Sequence, residues 1–309
     1  MKFRGTPCAL LYLGTGYDFT MQNRHTLESA YLTVTVQTDG AELCSLRDAS
    51  DQELLWQAGP EWPHHAPILF PIVGELAGGA YLHAGRRYEM QRHGFARAKK
   101  FAWLQRTPTR CRLVLHDDAE TRAQYPFPFR FEVAYALDDD ALEVSFTITN
   151  TGRTVLPSSA GAHPAFIWPL AEDVEKSAHT LEFSDAEAPT IRRIDAAGLL
   201  LPDKLPSPIT DRILPLEPEL FAADAIILDQ LESNSVRYGA PGAPTIEVSW
   251  EGFSQLGIWQ KPGADFLCIE PWAGHASPAG FTGEITAKPS MLLIPPGDKR
   301  VMTHRIRVC

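Results

Sequence analysis

Three short segments carry the residue types that most often transfer protons in enzymes. They are residues 92–97 with His93, residues 160–166 with His163, and residues 266–272 with Glu270. Imidazole and carboxyl groups are common general acids and bases, so these side chains are candidates for proton-transfer chemistry. Each one taken singly could instead be a structural residue with a satisfied hydrogen bond, because short motifs often match by chance.

The neighbours of these residues indicate how each is held. His93 precedes Gly94, where another backbone segment can approach closely. His163 precedes Pro164, and the steric bulk of proline favours an extended conformation at the histidine. Glu270 ends an apolar strand, and a carboxylate there must be paired, hydrogen-bonded or used in chemistry.

The spacing of the cysteines and histidines predicts no metal site. The five cysteines are scattered without a C-x-x-C pair, and no histidines form H-E-x-x-H or another close ligand spacing. We therefore expect reduced cysteines and no catalytic zinc.

Strand patterns must position the candidate residues. Hydrophobic alternation of period two recurs along the chain, at 31–36, 112–116, 129–137, 142–149, 246–250, 257–260, 266–270, 290–294 and 300–308. Residues 138–141 are typical of a hairpin turn. Only 119–124 and 218–223 are short helical candidates, and 186–217 is expected to form a long surface excursion. Many short strands separated by turns predict an all-β sandwich or barrel.

The composition of the chain limits its domain organisation and the kinds of partner that it can bind. A net charge of −10 argues against nucleic-acid binding, and no apolar run approaches the roughly 20 residues of a membrane helix. We expect an unstructured extension over residues 1–20, with Met21 as an alternative start to Met1, and a single β domain over 21–309. The expected location is the cytoplasm.

The order and spacing of several short segments give the chain a resemblance to a known family over about Leu32 to Val308. These segments are Gly40-Ala-Glu-Leu43, Leu55-Trp56, Pro67-Ile-Leu-Phe-Pro-Ile-Val-Gly74, His93-Gly-Phe-Ala-Arg97, Gly161-Ala-His-Pro-Ala-Phe166, Asp224 and Cys268-Ile-Glu-Pro-Trp272. The chain resembles the aldose 1-epimerase (galactose mutarotase-like) family, in particular its shorter bacterial branch, similar to the X protein of lactose operons. The resemblance implies a large antiparallel β-supersandwich.

The resemblance also implies an activity and residue roles. Glu270 would take the proton from the anomeric hydroxyl, and His163 would protonate the ring oxygen, the two lying on opposite sides of the acetal. His93 would hold the ring-oxygen side, and Asp224 would accept a sugar hydroxyl. The reaction needs no cofactor, the partner is a small sugar, and the protein is expected to be a monomer or homodimer.

Four further residues are expected at the sugar. Trp272 and Phe70 are candidate walls for the apolar sugar face, although core packing explains them equally well. Many members of the family carry a sugar-binding arginine where this chain has Glu75. Glu75 would replace a donor by an acceptor, and Arg97 could partly substitute for the missing arginine.

Two other functions remain open. A hexose-6-phosphate 1-epimerase would need a basic pocket, for which Arg92 and Arg97 are candidates, whereas Glu75 and the net charge of −10 argue against it. A non-catalytic carbohydrate-binding protein could keep the same pocket without the reaction. We expect a mutarotase acting on a free hexose.

Overall fold

The structure of the protein is a computed structural model that describes residues 23–309. The extension expected at residues 1–20 lies outside these residues. Strands make up almost all regular structure of the described part, which confirms the predicted all-β class. No helix in this part is long and apolar enough to cross a membrane.

The strands form sheets of three, nine and six strands and three two-stranded ribbons. In chain order the strands are β1 Arg24–Glu28, β2 Thr33–Gln37, β3 Leu43–Arg47, β4 Ile68–Leu69, β5 Ala80–His83, β6 Arg86–Glu89, β7 Ala102–Arg106, β8 Arg110–His116, β9 Phe129–Asp138, β10 Ala141–Asn150, β11 Leu156–Ser158, β12 Ala160–Ala162, β13 Ala165–Ile167, β14 Thr180–Phe183, β15 Thr190–Ile191, β16 Leu205–Pro206, β17 Ile213–Pro215, β18 Ile226–Leu228, β19 Ser235–Gly239, β20 Ile246–Glu251, β21 Gln255–Trp259, β22 Phe266–Ala273, β23 Leu292–Ile294 and β24 Lys299–Val308.

Helical structure in residues 24–309 is limited to α1, Ala119–Gln124, and five short 3-10 turns. The turns are Ala77–Gly79, Ala96–Ala98, Lys176–Ala178, Pro218–Phe221 and Ile285–Ala287. Asp118 caps α1 by accepting the Thr121 backbone N–H at 2.7 Å, and the Thr121 hydroxyl accepts the Asp118 N–H at 2.8 Å. The second helical candidate, 218–223, is therefore only a 3-10 turn.

The nine-stranded sheet has the order β17-β14-β19-β20-β24-β10-β9-β8-β7. Its β9–β10 hairpin pairs Asp138 with Ala141, and the tight turn takes Asp139 to a φ of +52°. Along β9 the side chains of Phe131, Val133 and Tyr135 face the core, as the alternation of the sequence predicts.

The six-stranded sheet has the order β18-β21-β22-β12-β4, with β13 also paired to β22. All eight residues of β22 are buried, so both faces of this strand are covered. Leu267 and Ile269 belong to the main core, whereas Cys268 and Trp272 pack in separate clusters on the other face. That second face carries Glu270 as well, because side chains alternate along a strand.

Phe70 joins the two large sheets. It follows β4 of the six-stranded sheet, and its ring stacks on Phe131 of β9 with 4.4 Å between the ring centroids. Its ring also lies 5.0 Å from that of Phe129, and the residue is fully buried. Phe70 therefore belongs to the main core of the sandwich.

Candidate functional site

The pairing register of β22 places His163 opposite Glu270. Gly161 pairs with Trp272 before the histidine, and Ala165 pairs with Cys268 after it. The same antiparallel register holds on both sides, so His163 falls opposite Glu270. In the structure His163 Nε2 lies 3.2 Å from Glu270 Oε2.

Burial favours the uncharged forms of this pair. Glu270 is 1% exposed, and burial raises the pKa of its carboxyl well above the usual range, while the Arg92 guanidinium acts in the opposite direction. Burial lowers the pKa of His163 to about 3. Neither Glu270 Oε2 nor His163 Nδ1 has a hydrogen-bond partner in the described part of the chain. Because ionisation is costly for both groups, one proton moving between them would be their easiest charge change.

His93 is held in one tautomer. The backbone N–H of Gly74 donates to His93 Nδ1 at 3.1 Å, so this nitrogen carries no proton. Burial lowers the pKa of His93 well below the usual range, and the neutral ring therefore carries its proton on Nε2. The ring centroid of His93 is 5.7 Å from that of His163, so a donor lies beside the acid/base pair.

Local backbone geometry requires glycine after this histidine. His93 has a φ of +67° and Gly94 a φ of +73°. A Cβ atom on residue 94 would lie 2.3 Å from the carbonyl oxygen of Phe70. The structure therefore shows the close backbone approach that was expected at Gly94.

A cavity of about 290 Å³ opens above Glu270. This site cavity brings together Glu270, His163, His93 and Asp224. Its remaining lining residues are Trp62, Gly74, Arg92, Arg97, Ile194, Gly198, Ala225, Ile227, Trp259, Lys261, Trp272 and Ala276. A hexose fits a concave site of this size, with acidic, basic and aromatic groups converging on it.

Asp224 is fixed by its backbone. It has a φ of +64°, and its carboxylate accepts the backbone N–H of Ala225 at 2.7 Å. Arg193 donates to the carbonyl oxygen of Asp224 at 2.5 Å. The carboxylate keeps further acceptor capacity towards the cavity.

Two glycines make room for Trp272. A Cβ atom on Gly257 would lie 2.4 Å from the Trp272 ring, and one on Gly161 would lie 2.5 Å from it. Both glycines belong to strands that flank β22. The indole therefore lies flat against its own sheet and lines the cavity, where a sugar face can pack on it.

Three cationic side chains line the site cavity: Arg92, Arg97 and Lys261. Arg97 Nη2 donates to the carbonyl oxygen of Arg92 at 3.0 Å. Burial, followed by repulsion from Arg92, lowers the pKa of Arg97. The cavity can therefore receive an anionic group as well as hydroxyls.

Two of the predicted substrate-binding residues do not line the cavity. Phe70 lies in the sandwich core and does not line the cavity. The prediction that it forms a wall for the sugar is therefore wrong, and its alternative, core packing, is correct. The carboxylate of Glu75 accepts the backbone N–H of Leu76 at 3.0 Å. Its Cβ atom would be 3.1 Å from a Cβ atom on Gly198, which does line the cavity, so Glu75 lies behind the wall.

Several lining residues were not expected from the sequence. Trp62 and Trp259 flank His163 with ring centroids at 5.1 and 5.8 Å. Ile194 and Gly198 come from the segment 186–217, which is mostly accessible, as expected for a surface excursion, and these two residues line the cavity. Trp259 ends β21, where a strand was predicted, but four of its five residues are buried, so alternation did not show which way Trp259 points. Trp62, between turns, gave no periodic signal.

Comparison with known proteins agrees with this architecture. Residues 23–288 match the sequence model of the family described as Aldose 1-epimerase. The chain is 32% identical over 294 residues to the plasmid-encoded protein LacX of Lactococcus lactis subsp. lactis, covering 91% of this chain and 98% of that protein. The expected similarity to the lactose-operon X protein is thereby confirmed.

Solved structures give the same result. A galactose mutarotase related enzyme from Lactobacillus acidophilus superposes with a TM-score of 0.87 at 31% identity, covering 93% of this chain and 97% of that chain. A galactose mutarotase-like protein from Lactobacillus casei superposes with a TM-score of 0.88 at 27% identity, covering 93% and 100%.

Proposed function

The chain belongs to the aldose 1-epimerase family, and we propose that it interconverts the α and β anomers of a free hexose. The observation that carries this proposal is the contact between His163 Nε2 and Glu270 Oε2, 3.2 Å apart at the wall of a sugar-sized cavity. Both side chains can reach one hemiacetal from there.

The contact changes one expectation about geometry. We expected the acid and the base on opposite sides of the acetal, whereas their nearest atoms touch. The anomeric oxygen and the ring oxygen are bonded to the same carbon, so two adjacent groups can serve both oxygens. Each group still needs hydrogen-bond reach to its own target.

The proposed reaction balances within the pair. Transfer of the Glu270 proton to His163 across their 3.2 Å contact first gives an ionised pair. Ionised Glu270 then takes the anomeric hydroxyl proton while protonated His163 gives its proton to the ring oxygen, and the ring bond breaks. The open-chain aldehyde rotates about C1–C2 and recloses on its other face by the reverse transfers. The step leaves both residues neutral, which is the state that their burial favours. Closure restores the ionised pair, so no external proton is consumed.

The neighbouring residues orient the sugar. His93 Nε2–H is a fixed donor for the ring-oxygen side, because Gly74 occupies Nδ1. Asp224 accepts a sugar hydroxyl, and Trp272 packs against the apolar face of the ring. Arg92 favours the carboxylate form of Glu270 and so supports its role as a base.

Exchange spectroscopy by NMR with glucose and galactose tests the proposal directly. The Glu270→Gln variant should equilibrate anomers about 10²–10⁴-fold more slowly, which is the usual contribution of a general base. Glu132→Gln is the matched control, because Glu132 is a buried strand carboxylate in the nine-stranded sheet. Equal rates in the wild type and Glu270→Gln, or equal losses in both variants, would reject the proposed role of Glu270.

A second candidate, a hexose-6-phosphate 1-epimerase, is favoured by the three cations Arg92, Arg97 and Lys261. Glu75, which argued against it, does not line the cavity. If this candidate is right, hexose 6-phosphates equilibrate much faster than free hexoses, and Arg97→Gln raises KM for the phosphate alone. A stable sugar complex without any anomer exchange would indicate a binding protein instead.

A further inference from the structure

A cysteine thiol lies beside the proposed acid/base pair. Cys268 and Glu270 are two residues apart on β22 and point to the same face, and Cys268 pairs with Ala165 two residues after His163. The thiol sulfur, a carboxylate oxygen and an imidazole nitrogen of His163 all lie within 4.8 Å of one another. Cys268 is a free cysteine and is fully buried.

We propose that His163, Cys268 and Glu270 form a three-ligand site for a zinc-type transition-metal ion, with the fourth coordination position towards the site cavity. Thiolate, imidazole and carboxylate are the three ligand classes that zinc binds in proteins. Binding of the ion does not depend on the proposed function. Inhibition of anomer exchange by the ion does depend on it, because the ion would occupy both proton-transfer groups.

The distances suit this coordination. Two ligands on a tetrahedral zinc ion with bonds of about 2.0–2.1 Å lie about 3.3 Å apart. His163 Nε2 and Glu270 Oε2 are already 3.2 Å apart. A sulfur ligand at about 2.3 Å would lie about 3.6 Å from each of them. All the present distances between these atoms are within 4.8 Å, so the sulfur needs to move by at most about 1 Å to reach this geometry.

The charges of the ion and its ligands also fit a buried metal site. A divalent cation with one thiolate and one carboxylate forms a neutral unit, and such a unit costs little to bury. Burial raises the pKa values of Cys268 and Glu270, so the ion would displace up to two protons. Arg92 and Arg97 oppose a cation in the cavity, and Asp224 favours it.

The spacing of residues along the chain does not predict this metal site, because its ligands come from two different segments. Ligands from one strand sit at i and i+2, and the third comes from the segment that pairs with it. Zinc motifs that can be recognised in sequence usually contain closely spaced cysteines or histidines. Here only the register of β22 brings the three residues together.

Cobalt(II) titration of the full-length protein tests the site independently of catalysis. Tetrahedral cobalt with a thiolate ligand gives visible d–d bands and a near-ultraviolet thiolate-to-metal band. We expect both in the wild type and loss of the thiolate band in Cys268→Ser. Cys111→Ser is the matched control, because Cys111 is buried in β8 of the nine-stranded sheet, and it should keep the band.

Zinc inhibition gives the second readout. For each variant, anomer exchange is measured against its own metal-free rate, with recovery after addition of EDTA. Cys268→Ser should raise the half-inhibitory zinc concentration by at least about tenfold, since even outer partners of a metal site are worth 10–100-fold in affinity.

The outcomes separate the two proposals. Absence of the thiolate band in the wild type, or its persistence in Cys268→Ser, would overturn the metal site whatever the catalytic result. If Cys268→Ser does not fold, Glu270→Gln serves instead: it keeps the thiol and should weaken cobalt binding by at least about tenfold. Unchanged cobalt affinity in that variant would overturn the proposed ligand set. A cobalt spectrum in a protein that lacks anomer exchange would reject only the proposed function.

Discussion

The two large sheets are both built from antiparallel strands, but their surroundings differ. The nine-stranded sheet alternates buried and accessible residues, and its accessible side chains form ion pairs such as Arg305–Asp138 at 2.8 Å. In the six-stranded sheet β22 is buried along its whole length and carries Glu270 and Cys268 on its cavity side. A polar group on the accessible face of the first sheet meets water or a partner. On the second it is desolvated, and burial changes its chemistry.

The largest expected effect concerns Phe70, which joins the two sheets. Phe70→Ala should lower the free energy of unfolding by about 3–5 kcal/mol, because it leaves a cavity against Phe131. Urea denaturation measures this change, with Tyr31→Ala at a 53% exposed side chain as the control. KM of the folded variant should stay unchanged. A large rise in KM with little loss of stability would instead show that Phe70 contacts the sugar.

The second effect depends on the close packing of the six-stranded sheet. Gly257→Ala would place a Cβ atom 2.4 Å from the Trp272 ring and displace the indole. We expect kcat/KM for anomer exchange to fall about 10²-fold, as displacements of about 1 Å can cause. The control is Gly239→Ala in β19, where the new Cβ would lie 3.0 Å from the movable Thr245 hydroxyl. Equal activity of the two variants would contradict the role of the indole.

The third effect is a pH dependence that arises in the nine-stranded sheet. His304 is buried in β24 without a partner for Nδ1 in the described residues, and burial lowers its pKa to about 3. Below the ordinary histidine pKa of about 6.5 the unfolded chain binds a proton that the folded chain does not, so stability falls as the pH falls.

Removing this histidine should reduce the sensitivity to acid. Between pH 7 and 4.5, His304→Leu should lose about 2–3 kcal/mol less stability than the wild type, as urea midpoints at the two pH values would show. His163 and His93 remain in the variant, so part of the dependence persists. Identical pH dependence in both proteins would mean that His304 is protonated in the folded state.

The smallest effect concerns an accessible ion pair of the nine-stranded sheet. Arg305→Ala removes the partner of Asp138, whose side chain is 75% exposed. We expect a loss of at most about 1 kcal/mol, which salt should reduce further. Thermal unfolding at low and high salt measures it. A larger loss would show that accessible polar groups on this sheet contribute more than solvent screening allows.

The sequence was sufficient for the class of fold and for the centre of the site. Alternation located β9, β10 and β24 to within one or two residues, because one face of each is accessible. It was less informative for β22, which continues through Pro271 to Ala273 because both of its faces are buried. The resemblance supplied Glu270 and His163 together, and their contact follows from the register of the strands.

The cavity walls were harder to predict for a physical reason. Phe70 and Trp272 are both large and apolar, and only the path of the backbone decides that one packs in the core and the other lines the cavity. Trp62 and Lys261 reach the site from connections between strands, whose course depends on tertiary contacts rather than periodicity.

The shared register around His163 has a consequence for how this fold tolerates insertions and deletions. Gly161 with Trp272 and Ala165 with Cys268 hold one continuous alignment across the histidine. Loss of a single residue between positions 161 and 165 would leave the outer pairs out of step and carry His163 to the opposite face of the sheet. Surface loops elsewhere can change length at a modest entropic cost, but this five-residue span must keep its length to hold His163 opposite Glu270.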